Sequence, residues 1–183
     1  MTCIVGYLHD GGATLAADTL ASASHLAIAA EPHKLFRSGP ALVGISGGLR
    51  IGQILRFRCP DLTLGVDGPL PSLLRWIEAV RPILREAGVL RVKDGVEELT
   101  DSRLLVALDG RLFEVDSEWQ VLEPRSPYWA IGSGQPYALG ALAALERIAF
   151  LTTPKHRLLL ALEIAEAFDP HVGSPFETLS TID

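Results

Sequence analysis

Strand-like and helix-like segments occur in blocks along this chain, and that order limits the fold more than any other feature of the sequence. The first block is β-rich: Cys3 to Leu8, Ala13 to Ala17, His25 to Ala30, Lys34 to Arg37 and Ala41 to Ser46 read as short strands. Turn signals at His9-Asp10-Gly11-Gly12 and Ser38-Gly39-Pro40 separate them, and Gly47-Gly48 closes the last. The period then changes. Leu49, Ile51, Ile54, Leu55 and Phe57 suit a helix, and Leu70 to Ala87 carries Leu73, Leu74, Ile77, Val80, Ile83 and Leu84 at helical spacing before Gly88. Gly65 to Pro71 reads as the loop between these helices, and Glu86 to Asp101 is polar enough to hold a second exposed loop. Leu104 to Leu108, the turn Asp109-Gly110 and Arg111 to Val115 form the strongest hairpin signal, with further strands at Trp119 to Leu122 and Tyr128 to Ile131. Gln135 to Phe150 and Pro154 to Phe168 read as two closing helices.

Alternating strand–helix units build parallel sheets, whereas grouped strands and grouped helices do not. The order therefore predicts an α+β chain in a four-layer αββα sandwich, two stacked antiparallel sheets flanked by helices. A length of 183 residues suits one sizeable domain, 1–183, and is short for two.

Composition narrows the function. Lys and Arg number 16 against 22 Asp and Glu, a net charge of −6, so a sequence-independent grip on nucleic-acid phosphates is not expected. The longest apolar stretches, such as Ala41 to Ile45 and Leu158 to Leu162, fall far short of a bilayer span, and the first residues lack the basic-then-apolar pattern of a signal peptide. Membrane association is therefore not expected either. The two cysteines, Cys3 and Cys59, fit a reducing cytoplasm. His9, His25, His33, His156 and His171 are scattered without metal-ligand spacing, so no metal is assigned.

The start of the chain holds the most reactive arrangement. A threonine in position 2 permits removal of Met1, and a free N-terminal threonine carries a hydroxyl nucleophile and an amine on adjacent carbons. An α-amino group titrates near 7.7–8.0, so a useful fraction is neutral at physiological pH and can accept the hydroxyl proton. Such a nucleophile needs a lysine near the amine, a carboxylate to hold that lysine and backbone N–H groups to hold an oxyanion. Asp18 ends the strand in Leu15-Ala16-Ala17-Asp18, Lys34 stands in His33-Lys34-Leu35-Phe36, and Gly47-Gly48 sits at a strand-to-helix turn. Backbone N–H groups at such a turn favour negative charge. Each residue alone has an ordinary reading as turn, surface charge or element breaker; together, in this order, they read as a site.

The segments Thr2-Cys3-Ile4-Val5-Gly6, Ala16-Ala17-Asp18, His33-Lys34-Leu35-Phe36 and Gly44-Ile45-Ser46-Gly47-Gly48 resemble the proteasome β-subunit family, in particular its bacterial HslV-type peptidases and small bacterial and phage homologues. Ala130-Ile131-Gly132-Ser133-Gly134-Gln135-Pro136-Tyr137-Ala138 resembles that family's Gly-Ser-Gly turn leading into a helix. The likeness covers most of the chain and is weakest over about residues 58–102.

The resemblance implies the N-terminal-nucleophile hydrolase fold and a threonine-type endopeptidase without a cofactor. It implies that Thr2 is nucleophile and, through its amine, general base, that Lys34 lowers the amine pKa, and that Asp18 orients Lys34. Gly48 would donate the oxyanion N–H, with Gly47 the alternative if the register slips by one, and Ser133 would hydrogen-bond the Thr2 amine. It further implies peptide or unfolded-protein substrates and self-association into rings, and it admits an ATP-dependent unfoldase as partner. One departure stands out: Asp169-Pro170-His171-Val172-Gly173 supplies an acid found in many members, but Val172 stands where a small hydroxyl residue is expected. That weakens Asp169 more than Thr2. Two alternatives stay open, an amidase for small molecules on the same fold and a catalytically silent ring subunit.

Overall fold

The computed structural model describes residues 2–23, 26–29, 33–148 and 153–181. The first block contains β1 (Cys3–His9), β2 (Gly12–Asp18), β3 (Leu20–Ala23), β4 (Leu26–Ala29), β5 (Leu35–Ser38) and β6 (Ala41–Ser46). Helices α1 (Leu49–Phe57) and α2 (Pro69–Glu86) follow. The second block contains β7 (Leu90–Lys93), β8 (Val96–Leu99), β9 (Arg103–Leu108), β10 (Arg111–Val115), β11 (Val121–Leu122) and β12 (Tyr128–Gly132). Helices α3 (Gln135–Arg147) and α4 (Pro154–Phe168) precede a last strand, β13 (Phe176–Ser180). One sheet has the order β12-β1-β2-β13 and the other β11-β10-β9-β6-β5, while β3-β4 and β7-β8 form separate two-stranded ribbons. All these pairings are antiparallel.

Side-chain alternation along the strands sets the layers. Successive residues of a strand point to opposite faces, so β1 sends Cys3, Val5 and Tyr7 one way and Ile4 the other. The first set packs on Ala138, Ala141 and Leu142 of α3 and on Leu158, Ala161, Leu162 and Ala165 of α4. Ile4 joins Ala13, Leu15 and Ala17 of β2 against Leu42, Leu105, Ala107 and Leu112 of the second sheet. That sheet's other face, including Val43, Ile45, Val106 and Phe113, is covered by Ile51, Ile54 and Leu55 of α1 and by Leu73, Trp76, Ile77, Val80 and Leu84 of α2. The result is the αββα sandwich that the block order predicts. Burying one leucine side chain is worth about 1.5–3 kcal/mol, and a one-residue slip would turn such residues away from their layer. The middle layer therefore holds the register that places the chain start.

A polar cluster fastens the outer helices to the first sheet. Arg157 of α4 is buried and donates to Tyr7 Oη of β1 at 2.5 Å and to Glu146 of α3 at 2.8 Å. Among the described residues, no helix is long and apolar enough to cross a membrane.

Some elements differ from the sequence reading. Glu86 to Asp101 is not a plain loop: α2 runs through Glu86, and β7 and β8 form a hairpin whose turn residues Asp94 and Gly95 have φ of 50° and 82°. Its alternation signal is hidden because charged residues occupy much of the ribbon, with Glu97 clamped by Arg81 and Arg85 and Glu98 by Arg91. The helix after the first loop begins at Pro69, and β11 begins only at Val121 because Trp119 sits in a turn at φ 68°. Strands β3 and β13 carry no clear alternation in the sequence, and pairing with β4 and β2 forms them. The strand expected over His25 to Ala30 is observed as Leu26–Ala29, and the helix expected to reach Phe150 is observed to Arg147. Met1, His25, Ala30 and Phe150 lie outside the described residues.

Candidate active site

Antiparallel pairing of β1 with β2 sets Ile4 opposite Ala17, so the residue before β1 and the last residue of β2 come side by side. Asp18 Oδ1 accepts the Thr2 hydroxyl at 2.7 Å and the Cys3 N–H at 2.8 Å. Lys34 comes from the other sheet, just ahead of edge strand β5, and its Nζ donates to Asp18 Oδ2 at 2.8 Å and to the Leu20 carbonyl at 2.9 Å. Its third hydrogen bond is to Thr2 Oγ1. The Thr2 hydroxyl therefore donates to a carboxylate and accepts from an amine. Thr2, Asp18 and Lys34 are 2%, 0% and 5% exposed, so water does little to screen these contacts.

The opposing wall comes from two turns. After β6, Gly47 takes φ +109°, and a Cβ there would lie 2.4 Å from Ser102 Oγ and 2.6 Å from the Asp101 carbonyl. Glycine is required on both counts. Gly48 N–H donates to Ser102 Oγ at 2.9 Å, and that hydroxyl donates to the Thr100 carbonyl at 2.9 Å. The N–H assigned to an oxyanion from the sequence is thus engaged by a serine. Between β12 and α3, Gly132 has φ +98°, and a Cβ there would lie 2.1 Å from the Thr2 carbonyl oxygen. This turn brings Ser133 Oγ within 3.4 Å of the Thr2 carbonyl, a long contact to the carbonyl rather than to the amine as expected. Together these walls enclose a cleft of about 460 Å³ lined by Thr2, Gly47, Gly48, Arg103, Ser133 and Gln135. A smaller recess of about 70 Å³ adjoins Thr2 and Lys34 and is lined by Leu20, Ala21, Ile45 and Leu49.

Electrostatics separate the nucleophile candidates. Burial lowers the Lys34 pKa and outweighs the opposing pull of Asp18, loosening the proton beside Thr2 Oγ1. Cys3 is next in sequence, but burial, aided by the charges of Asp18 and Asp169, pushes its thiol up to about 12. A thiol held protonated is a poor nucleophile. Asp169 follows α4. Burial pushes its pKa up, but the Ser133 hydroxyl together with the backbone N–H and ring of His171 outweighs this and holds the carboxyl below its ordinary value. Its Oδ1 accepts His171 N–H at 2.9 Å, and its Oδ2 is buried without a hydrogen-bond partner among the described residues. Val172 is buried and lies close enough to Gly134 that a Cβ there would come within 3.0 Å of it. The position expected for a hydroxyl is used for packing.

The fold brings Thr2, Asp18 and Lys34 into direct contact and sets Gly47, Gly48 and Ser133 around the same cleft. Sequence reasoning missed Ser102, which takes the Gly48 N–H, and Glu177, whose carboxylate accepts the Lys34 and Leu35 N–H groups at 2.7 and 3.1 Å. Neither stands in a motif, and both act on backbone far away in sequence. Among the described residues, no group of three or more His, Cys, Asp or Glu side chains is placed to hold a metal ion.

No protein-family model and no curated protein matches the chain. Solved structures do. BPH of Thiobacillus denitrificans superimposes with a TM-score of 0.81 at 24% identity, over 98% of this chain and 97% of that one. The same protein in complex with epoxomicin matches at 0.81 and 23% identity over 98% and 97%. Eukaryotic HslV from Trypanosoma brucei gives 0.68 at 18% identity over 98% of both chains. Anbu, described as an ancestral β-subunit, from Yersinia bercovieri gives 0.66 at 20% identity over 98% of this chain and 81% of that one. Likeness at these identities is one of fold, and this chain has the proteasome-type N-terminal-nucleophile hydrolase fold.

Proposed function

We propose that this chain is a threonine-type endopeptidase whose nucleophile is Thr2, freed by removal of Met1. The observation that carries this reading is the contact of Thr2 Oγ1 with both Lys34 Nζ and the Asp18 carboxylate, at the edge of a cleft walled by Gly47 and Gly48. In the reaction Thr2 Oγ1 attacks the scissile carbonyl carbon while its proton passes to the free Thr2 amine. Lys34 favours the neutral amine and the developing negative charge, and Asp18 keeps Lys34 aimed. The tetrahedral oxyanion takes its N–H from Gly47, or from Gly48 once Ser102 releases it. Collapse breaks the C–N bond, the leaving amine takes the proton, and the remaining threonyl ester is hydrolysed by water. Ser133, whose hydroxyl reaches the Thr2 carbonyl at 3.4 Å and acts on the Asp169 carboxyl, is the group assigned to stabilise the new ammonium, with Asp169 behind it. The recess of about 70 Å³ beside Thr2 has room only for a small side chain next to the cleaved bond.

The first test is intact mass. Active protein should lack Met1, because an acylated amine cannot serve as the base, and incubation with epoxomicin should add one equivalent to the wild type and none to Thr2→Ala. Full activity with Met1 retained would remove the amine from the mechanism.

Self-association follows from the same reading, since a closed ring would keep such a site from folded proteins. Support comes from apolar residues on the outer helices: Tyr137 of α3 and Phe168 of α4 stack at 5.6 Å and are 41% and 66% exposed, with Ile164 partly exposed beside them in α4. Exposed apolar groupings of this kind mark interfaces. Light scattering at micromolar concentration should give several times the 19.7 kDa chain mass. A monomer that cleaves peptides would shift the assignment to an amidase-type enzyme working alone. A chamber of this kind needs unfolded chains, so an ATP-driven unfoldase is the partner class that the reading calls for. The free cysteines Cys3 and Cys59 support a cytoplasmic setting.

A further inference from the structure

We propose that Glu177 is a positioning residue for Lys34, an inference that rests on the threonine-peptidase reading and deepens it. Glu177 lies on β13, opposite Ala17 of β2, one register position from the Phe176–Asp18 pair. Two carboxylates from adjacent strands thus converge on one lysine from different sides. Asp18 takes the side-chain end at 2.8 Å. Glu177 takes the backbone: its Oε1 accepts Lys34 N–H at 2.7 Å and Leu35 N–H at 3.1 Å, and its Oε2 is 2.6 Å from His33 Nδ1. On the far side of the same residue, the Lys34 carbonyl accepts Ile45 N–H from β6 at 3.0 Å.

The physical need for this hold follows from where Lys34 stands. It precedes β5, the edge strand of its sheet, where backbone N–H groups have no neighbouring strand to pair with. A lysine stem has four flexible carbons, so fixing the ammonium against Thr2 Oγ1 requires a fixed starting point. Hydrogen bonds to an ionised acceptor are about twice as strong as neutral ones, and here two meet on one oxygen while the other oxygen is braced by His33. The groove outside holds Arg37 and Arg56 beside Glu177, so the basic side chains around this carboxylate are His33, Lys34 and these two arginines. Bracing of this kind matters because misplacing a reacting group by about 1 Å costs roughly 10²-fold in rate.

The test compares wild type, Glu177→Ala and Glu177→Gln in the full-length protein, by amide hydrogen exchange at Lys34 and Leu35 and by kcat and KM on a peptide. The alanine variant leaves both N–H groups unpaired. Exchange at Lys34 and Leu35 should accelerate by about tenfold or more while β1 and β2 stay protected. Its kcat should fall about tenfold or more with KM changed by less than about twofold. The glutamine variant retains an oxygen that accepts both N–H groups and should recover most of the lost kcat and protection. Should the alanine variant not fold, Glu177→Thr keeps a β-branched strand residue at the same place and serves instead. Unchanged exchange at Lys34 and Leu35, or a kcat unaffected by the loss of the carboxylate, would overturn the proposal. A wild type that cleaves no peptide would overturn the peptidase reading, and the exchange pattern would still decide whether Glu177 holds the Lys34 backbone.

Discussion

Replacing Thr2 with alanine should lower peptide hydrolysis by about 10⁴-fold or more, on the scale seen when a nucleophile is deleted from an acyl-transfer site. The change removes the one hydroxyl that meets both Lys34 Nζ and Asp18 Oδ1. It leaves the Lys34–Asp18 ion pair in place, and Asp18 Oδ1 keeps the Cys3 N–H. The fold should therefore survive with a loss of about 1 kcal/mol, the usual net worth of one hydrogen bond. Cys3 cannot substitute, since its buried thiol is held protonated with a pKa of about 12. Thr2→Ser keeps the oxygen and should retain part of the rate. Steady-state hydrolysis of the three proteins, each with its thermal melt, checks this. Equal activity in Thr2→Ala would place the nucleophile elsewhere.

Lys34→Ala should cut turnover by about 10²-fold or more, the range for lost acid–base or electrostatic assistance. The structure adds a stability cost to that expectation. Asp18 is fully buried, and removing its cation strands a charge, which costs about 3–5 kcal/mol in comparable buried pairs. The Thr2 hydroxyl and the Cys3 and Leu20 N–H groups still reach that carboxylate, so the lower end of this range is expected. Lys34→Arg should not restore activity. The lysine head donates to three acceptors in different directions, Thr2 Oγ1, Asp18 Oδ2 and the Leu20 carbonyl, and a planar guanidinium cannot match them.

The pH dependence has a defined sign. Burial places the folded Lys34 pKa below the ordinary value of 10.5, so the unfolded chain binds the proton more tightly between those two values. Stability from this group is therefore greatest above 10.5 and falls as pH drops through the lowered folded value. Lys34→Ala should lose that component of the stability profile. Hydrolysis and melts across pH for both variants supply the test. Wild-type activity with an unchanged profile in Lys34→Ala would reduce Lys34 to a structural partner of Asp18.

Much of the cluster was legible because its members sit at element boundaries. Asp18 ends an apolar strand, Lys34 stands just ahead of another, and Gly47-Gly48 breaks strand from helix; each alone has an ordinary reading, and their order together with the family resemblance singles them out. Their partners were not. Ser102 meets Gly48 across 54 residues and Glu177 meets the Lys34 N–H across 143. Neither pairing has a period or spacing that could announce it. Ser133 shows the same limit in milder form: its Gly-Ser-Gly turn was readable, but whether its hydroxyl would face the amine or the carbonyl of Thr2 was not.

The sequence by itself determined the layers. Grouped strands and grouped helices predict the four layers, and the two-residue period of a strand splits its side chains between two faces, while the packing decides which of the three buried interfaces each face joins. Burial of alternate side chains is a local property and leaves a local record. Only the tertiary structure decided which strands lie at the edges, and so which backbone N–H groups near the cleft are already taken. Hydrogen bonds between distant segments depend on the final register and packing of both sheets, and Ser102 on the Gly48 N–H and Glu177 on the Lys34 backbone arise only once those sheets are stacked.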